Sequence, residues 1–158
     1  MADDSIDERE RARARLEPDQ DPLSRRSLRV ASPLSPEEDR IIYDVIGSAI
    51  AVHRALGPGF LESIYRKAMC IELTKRNLTC ECERPIDVAY EGVSLRGQRV
   101  DLIVGGSIVV ELKAVARFEE IHRSQVISYL RTLGLRGGLL INFRVRVLKH
   151  GVCRIVLT

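Results

Sequence analysis

Tryptophan is absent from this 158-residue chain, and aromatic residues make up only 4% of it. A core must therefore be built from Ile, Val and Leu. No run approaches the roughly 18 apolar residues of a membrane span, so no membrane partner is expected. The opening residues Met1-Ala2-Asp3-Asp4 are acidic and polar, unlike a secretory leader. Cysteine is scarce: Cys70, Cys80, Cys82 and Cys153. With nothing to suggest export, these are expected to be reduced thiols in a cytoplasmic protein. Cys80 and Cys82 share one face of an expected strand, but no Cys/His pair stands at zinc spacing. Small buried hydrophobes are the expectation for them. A strong excess of either charge is lacking too. The net charge of +3 is compatible with a nucleic-acid partner without arguing for one.

What is present suits one globular domain with a tail: 45% apolar and 30% charged residues. Residues 1–34 carry 8 acidic and 7 basic side chains, few large apolar ones, and Pro18, Pro22 and Pro33. Their net charge of 7 − 8 = −1 leaves +4 on residues 35–158. Such a composition buries too little to offset chain entropy, so residues 1–34 are expected to be a disordered tail and 35–158 the domain.

The domain opens with Ser35-Pro36-Glu37-Glu38, a capping box with proline at the first helical position. Ile42, Val45, Ile46, Ala49, His53 and Leu56 then follow one helical face until Gly57-Pro58-Gly59. A second helix is expected from about Leu61 to Arg76. Strands are expected over about 79–90, 98–104 and 107–113, with turns at Glu91-Gly92 and Gly105-Gly106. A third helix follows from about Phe118 to Leu133, then a buried strand over 137–142. Residues 145–148 and 152–157 read as a final hairpin. The order α-α-β-β-β-α-β-β-β predicts an α/β sandwich with a mixed central sheet flanked by helices.

The chemistry concentrates in Val100-Asp101-Leu102-Ile103-Val104 and Ile108-Val109-Val110-Glu111-Leu112-Lys113. Three charges interrupt two apolar strands, and burying them has a cost unless they pair or bind something. Glu111 and Lys113 are two apart and share a sheet face. Two carboxylates suit a hard divalent cation such as Mg²⁺, which acidifies a bound water and screens phosphate charge. A nearby lysine can stabilise the added negative charge of a transition state. A cross-strand ion pair on a solvated face is the plainer alternative. Register decides between them. A two-residue hairpin at Gly105-Gly106 would point Asp101 and Glu111 to opposite faces. A shared site demands one extra loop residue, so Gly106 is expected in the left-handed position of a type I turn with a G1 bulge, putting Val104 opposite Ile108 and Asp101 opposite Glu111.

Other polar residues fall on faces that could meet this site. His122, Gln125 and Tyr129 form a row on the third helix, and Glu62 and Tyr65 share a face at the start of the second. Tyr129 could equally be core, and Glu62 could simply complement the helix dipole. His53 is a further metal-ligand candidate, although a histidine on an apolar face is commonly a hydrogen-bonded core residue. Arg117, Arg123 and Arg131, with Arg136, Arg144, Arg146 and Lys149, are candidate phosphate contacts or ordinary surface charge.

Taken together, Gly59, Glu62 and Tyr65 resemble the name-giving motif of the GxxExxY family of the PD-(D/E)XK nuclease superfamily. The resemblance covers roughly Ile41 to Leu157. It includes Ala55-Leu56-Gly57-Pro58-Gly59-Phe60-Leu61-Glu62, Val110-Glu111-Leu112-Lys113-Ala114 and Gly138-Leu139-Leu140-Ile141-Asn142-Phe143. Gln125 and Tyr129 are similar to the Q-x-x-x-Y motif of the RecB-like branch. The resemblance implies a restriction-endonuclease-like core and hydrolysis of nucleic-acid phosphodiester bonds, DNA foremost, with Mg²⁺ or Mn²⁺. It implies Asp101 and Glu111 as metal ligands, Glu62 as a further ligand, and Lys113 as the catalytic lysine, beside Gln125 and Tyr129. Only Cys153 lies near the C-terminus, unlike the iron–sulfur branch of these nucleases. A non-catalytic nucleic-acid-binding module or partner subunit keeping the fold is the alternative. A purely structural ion-pair network is the third. The sequence indicates no oligomeric state.

Overall fold

A computed structural model describes residues 32–158. The tail expected over 1–34 lies outside the described residues except for its last three. Those three are ordered: Ser32 Oγ donates to Asp39 at 2.9 Å, and Leu34 is buried against Gly137.

Helix α1 (Pro36–Leu56) starts as its capping box dictates: Ser35 Oγ accepts from Glu38 N–H and Glu38 Oε2 accepts from Ser35 N–H. Helix α2 (Glu62–Lys75) follows the Gly-Pro-Gly break. Strands β1 (Cys80–Tyr90) and β2 (Val93–Val104) form a long antiparallel ribbon. Strand β2 begins five residues earlier than expected, because Val93 to Leu95 pair with Val88 to Tyr90 beyond a bulge. Then come β3 (Ile108–Lys113), α3 (Glu120–Leu133), β4 (Gly137–Asn142) and β5 (Val152–Val156).

The sheet runs in chain order β1-β2-β3-β4-β5, with β3 and β4 parallel and all other pairs antiparallel. This is a mixed α/β sheet with a restriction-endonuclease-like arrangement. One face packs on α1 and α2 through Leu102, Val104, Val110, Leu112 and Ile141. The other packs on α3 through Val100, Ile103, Val109 and Leu140. Among the described residues, no helix is long and apolar enough to cross a membrane.

Two expectations are corrected. The C-terminal hairpin does not form, because 145–147 are not a strand. Arg144 N–H is taken by the Asn142 side chain, and a 3-10 turn at Leu148–Gly151 leads into β5 alone. The thiols are not all reduced either: Cys70 and Cys82 are joined by a disulfide.

Candidate active site

The register that brings the carboxylates together is set at the β2–β3 turn. Gly105 and Gly106 both have positive φ, and Ser107 N–H closes the turn onto Val104 O at 3.2 Å. The ladder then pairs Val104 with Ile108 and Leu102 with Val110, leaving Ser107 as the extra residue. The expected register therefore forms, but through two left-handed glycines rather than a type I turn ending at Gly106. Asp101 lies one step beyond the last pair. Its Oδ2, rather than a backbone carbonyl, accepts Leu112 N–H at 2.9 Å.

Glu111 and Lys113 emerge on the α3 side of β3. Lys113 Nζ donates to Glu111 Oε1 at 2.9 Å and to Gln125 Oε1 at 3.0 Å. Gln125 Nε2 donates to Tyr129 Oη at 2.6 Å, and Gln98 Nε2 donates to the same oxygen. With both acceptor positions filled, the Tyr129 hydroxyl proton is left to donate elsewhere. Gln98, Gln125 and Tyr129 line a cleft of about 470 Å³ with Ile86, Val88 and Ile121.

Glu111 is 5% exposed, and its Oε2 has no hydrogen-bond partner. Among the described residues it is the one buried side-chain oxygen or nitrogen in that state. Burial, then the negative charge of Asp101, pushes the Glu111 pKa up to about 7 against the pull of Lys113, with Glu62 adding to the rise. Burial alone would lower Lys113, but its hydrogen bond and attraction to Glu111, with Glu62 and Asp101, raise it above the usual lysine value. Burial likewise raises Tyr129. An orphaned, buried carboxylate oxygen beside a second carboxylate fits a divalent cation by both charge and donor type.

Glu62 is presented at the start of α2 by a locked turn. Gly57 and Gly59 have φ of 67° and 119°, which suit glycine. Tyr65, fully buried and stacked on Phe143 at 4.3 Å, donates its hydroxyl to Gly57 O at 2.6 Å and accepts from Phe60 N–H at 3.2 Å. Glu62 Oε1 then lies 3.4 Å from Ala114 N, at the end of β3. The oxygens of Glu62, Asp101 and Glu111 do not all lie within 4.8 Å of one another. An ion held by all three therefore requires a side-chain rotation.

Three residues join the site that sequence patterns did not single out. Arg66 Nη1 donates to Asp101 Oδ1 at 2.9 Å, and its Nη2 is 3.2 Å from Glu83 Oε1. Gln98 reaches Tyr129 from β2. Asn142, buried at the end of β4, donates to Val115 O at 2.7 Å and accepts from Val115 N–H, fixing the segment after Lys113. A signal for Asn142 was available, since it is the one polar residue closing an apolar strand.

Other candidates lie elsewhere. His53 Nε2 is engaged with Val145 O at 2.8 Å. His122 Nδ1 accepts from Glu119 N–H and caps α3. Arg117, Arg123 and Arg131 are exposed, and Arg123 donates to Cys153 Sγ on β5.

A family model for the PD-(D/E)XK nuclease superfamily matches residues 39–155, nearly the whole described domain. A comparison with curated proteins gives no match.

Proposed function

The chain belongs to the PD-(D/E)XK nuclease superfamily, and from that premise we propose that it is a Mg²⁺- or Mn²⁺-dependent nuclease of the GxxExxY type that hydrolyses DNA phosphodiester bonds in the cytoplasm. The observation that carries this reading is Glu111 Oε2, buried and unpartnered next to Asp101 and Lys113.

Asp101 and Glu111 would hold the cation, with Glu62 as a further ligand. When bound, a divalent cation supplies an acidified water and screens the scissile phosphate. The remaining work falls to the chain. Lys113, fixed by Glu111 and Gln125, places an ammonium where charge develops on the phosphate. Tyr129 offers its free proton to a phosphate or sugar oxygen along the 470 Å³ cleft. Arg66, now tied to Asp101, is a guanidinium that could turn to a backbone phosphate once Asp101 takes another partner. Arg117, Arg123 and Arg131 would track more distant phosphates.

The Arg66–Asp101 pair is also what a nucleic-acid-binding module without catalysis would show, with arginine standing where a cation would. Digestion separates the two. Labelled single- and double-stranded DNA and RNA are incubated with Mg²⁺ or Mn²⁺ and either wild type or Glu111→Ala. Cleavage of DNA by wild type alone is expected. Binding without cleavage on every substrate and metal would establish the module instead.

A further inference from the structure

We propose that Cys70, Cys80 and Cys82, once reduced, form a second metal site, specific for a thiophilic ion such as Zn²⁺ and separate from the carboxylates. Among the described residues these three are the only Cys, His, Asp or Glu side chains whose ligand atoms all gather within 4.8 Å.

The sequence separates them, and the fold assembles them. Cys80 and Cys82 lie two apart on β1, opposite Val104 and Leu102 of β2, so they share a face. Cys70 comes from α2, which packs on that face. Cys80 Sγ stands 3.8 Å from Cys70 Sγ and 3.9 Å from Cys82 Sγ. Sulfurs around a tetrahedral zinc, each bonded at about 2.3 Å, are expected roughly 3.8 Å apart. The third edge is spanned by the Cys70–Cys82 disulfide, across Cα atoms 7.5 Å apart. That spacing is wider than the roughly 4.4–6.8 Å usual for disulfides, so reduction leaves room for an ion between the sulfurs. Cys82 is exposed whereas Cys70 and Cys80 are half-buried. The ion would thus take three sulfurs and keep one position open to water.

The chemistry balances without an unnamed reactant. A dithiol reductant gives two electrons and two protons to the Cys70–Cys82 bond, leaving two thiols and becoming a disulfide itself. The ion then displaces thiol protons to water as the thiolates bind it. A cytoplasm supplies such reductants. The site would also brace the active site from behind. Cys70 follows Arg66 by four residues on α2, and Cys82 precedes Glu83, the second partner of Arg66. An ion shared by α2 and β1 would hold the two elements that set the Arg66 position.

The test uses the full chain, reduced with a phosphine, stripped with a chelator and titrated anaerobically with Zn²⁺ or Co²⁺. With Mg²⁺ in excess to fill the carboxylates, one thiolate-bound ion per chain is expected, with a sulfur-to-cobalt charge-transfer band in the near ultraviolet. Cys80→Ser and Cys82→Ser should each weaken Zn²⁺ binding about tenfold or more, while Cys153→Ser and Glu111→Ala retain it. Thermal melts of each variant separate lost binding from lost fold. Absence of the cobalt band in folded wild type, or equal zinc affinity in folded Cys80→Ser, overturns the proposal. So does loss of the ion in Glu111→Ala, which would place it at the carboxylates. Mg²⁺-supported DNA cleavage in the cysteine variants reports separately on the nuclease reading.

Discussion

Arg66 and Asp101 form an ion pair 2.9 Å long, with both side chains less than one-fifth exposed. The guanidinium therefore occupies a carboxylate oxygen that a cation at Asp101 would need. If the proposed Mg²⁺ site at Asp101 displaces this pair, the cost should appear as weakened affinity. Arg66→Met is expected to tighten divalent-metal binding about three- to tenfold in the absence of nucleic acid, matching roughly 1 kcal/mol for the pair. If Arg66 then serves the substrate, the same variant should cleave DNA more slowly. Calorimetry and a cleavage assay on one preparation would check both, and unchanged affinity would show that the pair does not compete.

Glu111 links metal binding to pH. Its pKa rises from an ordinary 4.5 to about 7 in the folded chain. A carboxyl that binds its proton more tightly when folded contributes stability that is complete below the ordinary value. That contribution is lost as pH rises through about 7. The metal-free wild type should therefore lose stability relative to Glu111→Gln between these two values, because the amide cannot ionise. Mg²⁺ affinity of the wild type should rise over the same window, with proton release on binding. Melting temperatures of both proteins against pH provide the measurement. Parallel curves would mean that Glu111 titrates at its ordinary value.

Much of this was readable in the sequence where the signal is local. Ser35 to Glu38 announces its helix because a capping box needs four consecutive residues. Asp101 and Glu111 could be placed on one face only by requiring them to share a site, because strand alternation alone admits either register. Arg66 could not be found this way. An arginine one turn beyond Glu62 reads as solvated surface until the β1–β2 ribbon is folded against α2. Gln98 and the Cys70–Cys80–Cys82 cluster are hidden for the same reason, since each contact joins separate elements. The C-terminal hairpin failed on the opposite ground. Val145 and Val147 alternate like a strand, but side chains take the neighbouring backbone instead of a ladder: Arg144 N–H donates to Asn142, and Val145 O accepts from His53.

The start of the domain can be tested by truncation. Leu34 is 5% exposed and belongs to the core, while Ser32 bonds to Asp39 and Arg154. Removing residues 1–31 is expected to leave the melting temperature within a few degrees. Removing 1–34 also deletes a buried leucine, worth about 2 kcal/mol, and should lower it by roughly 5 °C or more. Equal melting temperatures for the two truncations would show that Leu34 contributes nothing to the core.

Tyr65 acts on Glu62 through the turn between the first two helices. Tyr65→Phe keeps the stack on Phe143 but leaves Gly57 O and Phe60 N–H without their partner. A loss of about 1–3 kcal/mol in stability is expected. Cleavage should fall further than the folded fraction does, because Glu62 is no longer held at the end of β3. Activity that tracks folding alone would confine Tyr65 to packing.

Lys113 should separate cleavage from metal binding, provided pH is controlled. A protonated lysine cannot ligate a cation, so Lys113→Ala removes no ligand. It does remove the hydrogen bond and positive charge that pull the Glu111 pKa down. In the variant Glu111 must therefore hold its proton to higher pH than in wild type, and metal affinity near neutrality should drop for that reason alone. Well above pH 7 Glu111 ionises in both proteins, and their affinities for Mg²⁺ should converge. Cleavage should not converge. Glu111 and Gln125 hold the ammonium in place; if it meets developing phosphate charge as proposed, losing it costs on the order of 10²–10³ in rate. Calorimetric titration and single-turnover cleavage, each run at neutral and alkaline pH, distinguish the two effects. Recovery of both binding and cleavage at alkaline pH would reduce Lys113 to a device for ionising Glu111. Recovery of binding alone assigns it to the transition state.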